Sequence, residues 1–282
     1  MSTTLRKIIP GRLRSPMRAG WRGIEHRYQT WRLFRSKAGF VPPLNLMYDG
    51  PVGYRQFKEN GDEFLGYYLD ICDLKRNESV LDLGSGTGRK TLPLLSYLND
   101  EGNYLGLEIS DIGVDWCNEK YAAYPNFKFQ KIDVYNQLYN PGGKEKAAEY
   151  KFPLPPEQFD FVVLNSVFTH MMPPEVENYL SEIARVLKKG GRTLISSFLL
   201  NNESRALIQS GSSSIDLKHE FGPARAKSRT EPELAIGYNE GFVMQLYGKL
   251  GLEIQQPIRY GSWCGREKFL SYQDLVVSIK TR

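Results

Sequence analysis

The chain has 282 residues, of which 41% are hydrophobic, 24% charged and 12% aromatic, and its formal net charge is +5. This is the length and composition of one ordinary globular domain with additions, large enough to bury roughly three-quarters of its unfolded surface without disulfide staples. Cys72, Cys117 and Cys264 are odd in number, far apart and outside any C-x-x-C pair, which argues against a disulfide framework, a zinc site or a thioredoxin-type centre.

Such thiols fit a reduced, cytoplasmic protein. No apolar run reaches the ~18 residues that a membrane-spanning helix needs. The basic start, Met1 to Pro10, lacks the apolar stretch of a secretory signal.

The charge is uneven. Residues 1–40 hold ten Lys or Arg against one acid, Glu25, so this arm carries +9 and the remainder −4. Trp21, Tyr28, Trp31 and Phe34 are interleaved with the arginines. Three readings stay open. The arm packs its aromatics on the main domain with the guanidinium groups in water, it lies on an anionic membrane surface, or it meets nucleic acid or another acidic partner. The first is favoured and nucleic acid least so; the second would make the protein peripheral at the inner membrane surface. Val41-Pro42-Pro43 interrupts the chain, because paired prolines block helix continuation. A boundary there divides an arm, 1–43, from a domain, 44–282.

Gln56 to Asp73 carries Phe57, Phe64, Leu65, Tyr68, Leu69 and Cys72 at helical spacing, weakened by Gly61 and Gly66. Ser79 to Leu83 reads as a buried strand, and Gly84 to Gly88 turns the chain into a helix through Leu92, Leu94, Leu95 and Leu98. Tyr104 to Leu107 is the next strand, with a helix from about Ile112 to Tyr124. Phe127 to Ile132 alternates as a strand, and Phe159 to Leu164 is an apolar run of the fully buried kind. Pro173 and Pro174 start a helix whose Val176, Leu180, Ile183 and Leu187 form one stripe and which Gly190-Gly191 should end. Arg192 to Phe198 is a fifth strand. A helix near Tyr238 to Leu250 precedes strands at Leu252 to Ile258 and Ser271 to Ile279, which lack a helix between them and so should pair antiparallel. Strands alternating with helices require a mainly parallel, doubly wound α/β sheet.

In such sheets ligands sit beyond the carboxyl ends of the strands, at the topological switch point. The turn after Leu83 belongs there. Gly84, Gly86 and Gly88 remove side chains where backbone must approach a ligand, and their G-x-G-x-G spacing, with Arg89 following, departs from the G-x-G-x-x-G of dinucleotide sites. Asp82 enters the turn just ahead, a charge suited to an amino group and unsuited to a pyrophosphate. Glu108 ends the second strand about 20 residues further on, where an acid can accept ribose hydroxyls. Asp133 ends the third strand, within reach of an adenine amino group.

These residues resemble the class I S-adenosylmethionine-dependent methyltransferases. The likeness is carried by Val80 to Gly88, Glu108, Asp133-Val134, Phe159 to His170 and Leu180 to Gly191. It implies a Rossmann-like seven-stranded sheet of order 3-2-1-4-5-7-6 with strand 7 antiparallel, and S-adenosyl-L-methionine as cofactor. It further implies that Gly84, Gly86 and Gly88 face the methionine part with Asn165, that Glu108 takes the ribose and Asp133 the adenine, and that Asp82, Ser85, Ile109 and Val134 also belong to the cofactor site.

His170, a few residues past the fourth strand, is the candidate base for a hydroxyl acceptor. The turn after that strand, Asn165 to Phe168, lacks the Pro-Pro-aromatic sequence of amino-group methyltransferases acting on nucleic acid or glutamine. No set of oxygen ligands suggests a metal. Insertions at about 135–157, with Tyr135, Tyr139, Tyr150 and Phe152, and 201–234, with Arg225, Lys227 and Arg229, could shape a pocket for a small-molecule or glycan-like acceptor. Trp263 and Arg266 could join its rim. Methyl transfer, with O-methylation the expectation, competes with aminopropyl transfer, which the basic insertion residues disfavour, and with a non-catalytic adenosyl-binding module docked through the arm.

Overall fold

The computed structural model describes residues 39–50 and 52–282, so the readings of residues 1–38 lie outside the described residues. The framework is β1 (Ser79–Leu83), β2 (Asn103–Glu108), β3 (Phe127–Lys131), β4 (Phe159–Leu164) and β5 (Leu187–Ser197), joined by β10 (Leu252–Ile254) and β11 (Asp274–Lys280). The seven strands run β10-β11-β5-β4-β1-β2-β3. β1 through β5 pair with one another in parallel, while β11 is antiparallel to both β5 and β10. This is the order that the sequence resemblance implies.

Successive residues of the central strands enter opposite cores, as the two-residue period of a strand requires. Leu81, Leu83, Val162, Leu164 and Ile195 face one layer, with α3 (Pro173–Val186) and α5 (Glu240–Lys249) packed on it through Leu180, Ile183, Val243 and Tyr247. Val80, Tyr104, Phe161, Val163 and Leu275 face the other, covered by α1 (Tyr54–Asp70) and α2 (Asp111–Lys120) through Phe64, Tyr68 and Cys117. Burial on both faces explains why these strands read as apolar runs. Among the described residues no helix is long and apolar enough to cross a membrane.

Several local expectations are corrected. The glycine turn leads to a short 3-10 turn, Leu92–Ser96, in place of an α-helix. Pro93 has no N–H to give the carbonyl of Arg89, as an α-helix would require. That carbonyl lies against α1, where a Cβ on Gly61 would come within 2.5 Å of it. Gly61 therefore permits a close helix-to-turn contact and is not merely a weak helix residue.

α3 ends at Val186, ahead of Gly190-Gly191, which lie within the irregular start of β5. There the register jumps from Phe159 opposite Leu187 to Phe161 opposite Arg192, and Gly190 takes a φ of 78°.

Packing also begins ahead of the proline pair. Phe40 meets Tyr121 edge-on at 5.0 Å, and Val41, Leu44 and Met47 form a small core with Phe57.

A second sheet has no counterpart in the sequence reading. Its strands β6 (Leu199–Leu200), β7 (His219–Phe221), β8 (Ala224–Ala226) and β9 (Ile236–Asn239) run β6-β9-β8-β7, with α4 (Asn202–Gln209) between β6 and β7. It is anchored to the main core by Ala224, Ala226, Ile236 and Tyr238.

Candidate active site

The in-register carboxyl ends of β1, β2 and β4 bring the site together. Leu83 is paired with both Leu107 and Leu164, so the residues that follow, Gly84, Glu108 and Asn165, emerge side by side. The Gly84 N–H donates to the Leu107 carbonyl at 2.8 Å. Gly84 and Gly86 have φ values of +82° and +55°, a backbone region that strains other residues. Space is restricted too: a Cβ on Gly84 would lie 2.4 Å from Val167, and one on Gly86 would lie 2.9 Å from the Asp49 carboxylate.

Glu108 fixes the turn. Its Oε2 accepts the Gly86 N–H at 2.7 Å, and Oε1 accepts those of Ile109 and Ser110 at 2.9 and 2.8 Å. Burial pushes its carboxyl up, against the pull of these backbone donors. A carboxylate oxygen can accept twice, so Oε2 retains capacity on the cavity side. Across from it, Asn165 donates Nδ2–H to the Tyr68 hydroxyl at 3.1 Å, while its buried Oδ1 has no hydrogen-bond partner.

These groups open into one cavity of about 570 Å³, lined also by Tyr48, Asp49, Arg89, Lys90, Ile109, Val134, Tyr135, Asn136, Tyr139, His170 and Glu175. The size is that of a small-molecule site. A narrow glycine floor, an acid able to accept hydroxyls and an orphaned amide oxygen able to accept an ammonium group fit the adenosyl amino-acid ligand that the sequence implies.

Four residues assigned to that ligand from the sequence do not line the cavity: Asp82, Ser85, Gly88 and Asp133. Asp82 is buried below the turn, accepts the Tyr104 hydroxyl at 2.7 Å and is pushed up to about 6 by burial. Ser85 packs toward Gly106, and Gly88 toward Cys117 and Tyr121. Ile132 and Val134 line the cavity with Asp133 between them. The Asp133 carbonyl accepts the N–H groups of Lys144 and Glu145 at 3.0 and 2.9 Å, and its carboxylate lies 3.9 Å from the Lys144 ammonium.

Residues 48–50, which no local pattern singles out, cover the glycine turn. Asp49 accepts the Thr87 hydroxyl at 3.2 Å, and its carbonyl is bonded by Arg89, whose guanidinium lies 4.9 Å from the Phe57 ring centre.

At the opposite end, His170 closes the 3-10 turn Phe168–His170, which Tyr238 of β9 holds by donating its hydroxyl to the Phe168 carbonyl at 2.6 Å. The imidazole Nδ1 is 2.7 Å from the Glu233 carbonyl, and burial lowers the pKa of the ring. An acceptor-only carbonyl requires Nδ1 to carry the proton, which leaves the lone pair of the neutral ring on Nε2.

The Glu233 carboxylate in turn accepts Asn136 Nδ2–H at 2.8 Å and Gln137 N–H at 2.9 Å. The two insertions thus meet over His170. Tyr135 and Tyr139 reach the cavity, but Phe152 is buried against Tyr179.

The proposed basic rim is corrected. Arg225 pairs with Glu220, Lys227 and Arg229 are exposed, and none of the three lines the cavity. Trp263 and Arg266 instead hold Asp274, at 2.8 and 3.1 Å, inside the base of the second sheet. Among the described residues no cluster of three or more His, Cys, Asp or Glu is arranged to hold a metal ion.

The sheet order and the glycine turn beside Glu108 define a class I methyltransferase fold. Residues 81–195 match the family described as "Methyltransferase domain". Over 133 residues it is 29% identical to an arsenite methyltransferase of Mus musculus, covering 47% of this chain and 34% of that one. Over 131 residues it is 27% identical to a tRNA N(3)-cytidine methyltransferase of Gallus gallus, covering 45% and 32%. The chain therefore spans about a third of the length of each of these relatives. Its fold is similar to that of the magnesium protoporphyrin IX methyltransferase of Synechocystis PCC 6803, solved with bound S-adenosylhomocysteine, with TM-score 0.51, 16% identity and coverage of 84% and 92%.

Proposed function

We propose that the protein transfers the methyl group of S-adenosylmethionine to a hydroxyl oxygen of a small-molecule or glycan-like acceptor. The observation that carries this reading is His170, its Nδ1 tied to the Glu233 carbonyl, in the same cavity as Glu108, Asn165 and the glycine turn. The bound donor supplies an activated methyl group. The chain's part is alignment, which can be worth ~7–11 kcal/mol, and removal of the hydroxyl proton, which passes to Nε2 of His170 as the methyl carbon leaves sulfur, its bonding pair staying on the thioether, and joins the acceptor oxygen. A lowered imidazole pKa keeps this base neutral at neutral pH. Tyr135, Asn136 and Tyr139 supply the polar, aromatic wall that a ring-bearing alcohol would meet. Three unpaired, buried thiols suit a cytoplasmic setting.

The test is methyl transfer from labelled donor to a panel of alcohols, with donor affinity followed by calorimetry. His170→Ala should lower kcat by roughly 10²–10⁴-fold while leaving donor affinity unchanged. An unchanged kcat in the variant would remove the base from the mechanism.

A further inference from the structure

The turn that ends in His170 begins with Ser166, whose φ of +61° is a left-handed backbone that a non-glycine residue keeps only where its neighbours hold it. The Ser166 N–H donates to Ser196 Oγ at 2.8 Å, and its hydroxyl donates to Oε1 of Gln273, the residue ahead of β11, at 3.1 Å. Ser196 donates its own hydroxyl to the same Oε1 at 2.6 Å, the length of an O–H···O bond. The amide of Gln273 therefore turns its oxygen to the two serines, which use both of its lone pairs. Gln273 lines the cavity, and among the described residues its Nε2 makes no hydrogen bond.

Tyr272, also on the cavity, keeps 48% of its surface open, yet its ring is fixed. It stands perpendicular to Phe198, with 6.4 Å between ring centres, and its hydroxyl lies 2.9 Å from Ser214 Oγ. Glu63 of α1 lines the same cavity and is tied to this loop through Tyr67, whose hydroxyl lies 2.5 Å from Glu63 Oε1 and 2.8 Å from the Leu270 carbonyl. A fixed aromatic ring, an amide donor without a partner and a carboxylate acceptor thus share one cavity with the candidate base.

Resting on the acceptor reading above, we infer that Tyr272, Gln273 and Glu63 form a subsite for a sugar-like ring of the acceptor. The apolar C–H face of a pyranose covers the Tyr272 ring, Gln273 Nε2 donates to one hydroxyl oxygen, and Glu63 accepts a hydrogen bond from another hydroxyl. A neutral polyol satisfies donor and acceptor together. A nucleic-acid strand could also stack a base on Tyr272, but its phosphodiester charge would then lie against the Glu63 carboxylate.

The experiment is an NMR titration of the full chain, loaded with S-adenosylhomocysteine, with a set of methyl hexopyranosides, with cyclohexanol as a ring lacking their further hydroxyls, and with a trinucleotide. At least one pyranoside should bind in the millimolar range, and cyclohexanol more weakly. Tyr272→Ala should weaken the pyranoside by roughly 10-fold, and so should Gln273→Glu, which keeps an oxygen for both serines and loses the donor. Tyr272→Phe, which keeps the ring, should match the wild type. Unchanged affinity for S-adenosylhomocysteine shows that each variant is folded. No binding of any pyranoside, wild-type binding by Tyr272→Ala or by Gln273→Glu, or a trinucleotide that binds more tightly through Tyr272 overturns the subsite. Labelled methyl transfer to alcohols that persists after such a result leaves the functional reading standing. Pyranoside binding without transfer to any alcohol overturns that reading and leaves the subsite.

Discussion

Gly86 is the residue at which backbone strain and ligand space coincide. With φ at +55° and the Asp49 carboxylate 2.9 Å from the missing Cβ, Gly86→Val should abolish measurable donor binding by calorimetry while circular dichroism stays that of a folded protein. Asp82 makes a different, pH-dependent contribution. Its carboxyl rises on folding from 3.8 to about 6, mainly by burial. The native state therefore holds more protons than the unfolded state between those values, and this group's contribution to stability is lost as pH rises through them. Asp82→Asn keeps an acceptor for the Tyr104 hydroxyl. The variant should gain on the wild type by a few kcal/mol at most between pH 4 and pH 7, read from denaturant melts at both. A stability difference independent of pH would refute the raised carboxyl. Glu108, Gly84 and Gly86 were legible in the sequence because strand ends and glycine spacing are local patterns. Tyr48 and Asp49 were not, because their roles arise from a chain segment folded over the turn, which no periodicity announces.

The elements that hold His170 come from far along the chain. β9 grips the turn through Tyr238, and the 3-10 turn Pro232–Leu234 presents the Glu233 carbonyl to the imidazole and the Glu233 carboxylate to Asn136 and Gln137. Glu233→Ala removes the carboxylate and keeps the carbonyl. It should loosen residues 135–139 and raise KM for the acceptor several-fold, with donor affinity and the pH dependence set by His170 unchanged. A fall in kcat without a change in KM would mean that the link serves the base and not the acceptor wall. The main sheet was readable because strands of five or six residues carry a two-residue alternation or an apolar run. β6 to β9, of two to four residues, are too short to show either, so the sheet that positions the candidate base reads only as a polar stretch between Phe198 and Tyr238. The helix expected after Gly88 failed for a covalent reason, the missing donor of Pro93.

At the scale of the whole molecule, the three thiols sample two layers. Cys72 and Cys117 lie in the core under α1 and α2, and Cys264 lies in the smaller core beside the second sheet. All are buried, and burial raises all three thiol pKa values, that of Cys72 to about 12. Cys117 is the one coupled to the donor turn, with Sγ donating to the Gly86 carbonyl at 3.7 Å and 3.1 Å from the Cβ that Gly88 lacks. Native cysteines of this kind act as clocks for alkylation, each ticking only when its own layer opens. S-Adenosylhomocysteine at about 100 times its Kd should slow modification of Cys117 by up to roughly 100-fold, while Cys264 keeps its rate if the small core breathes independently. Equal slowing at both sites, measured by peptide mass, would reveal that the two sheets open as one cooperative body.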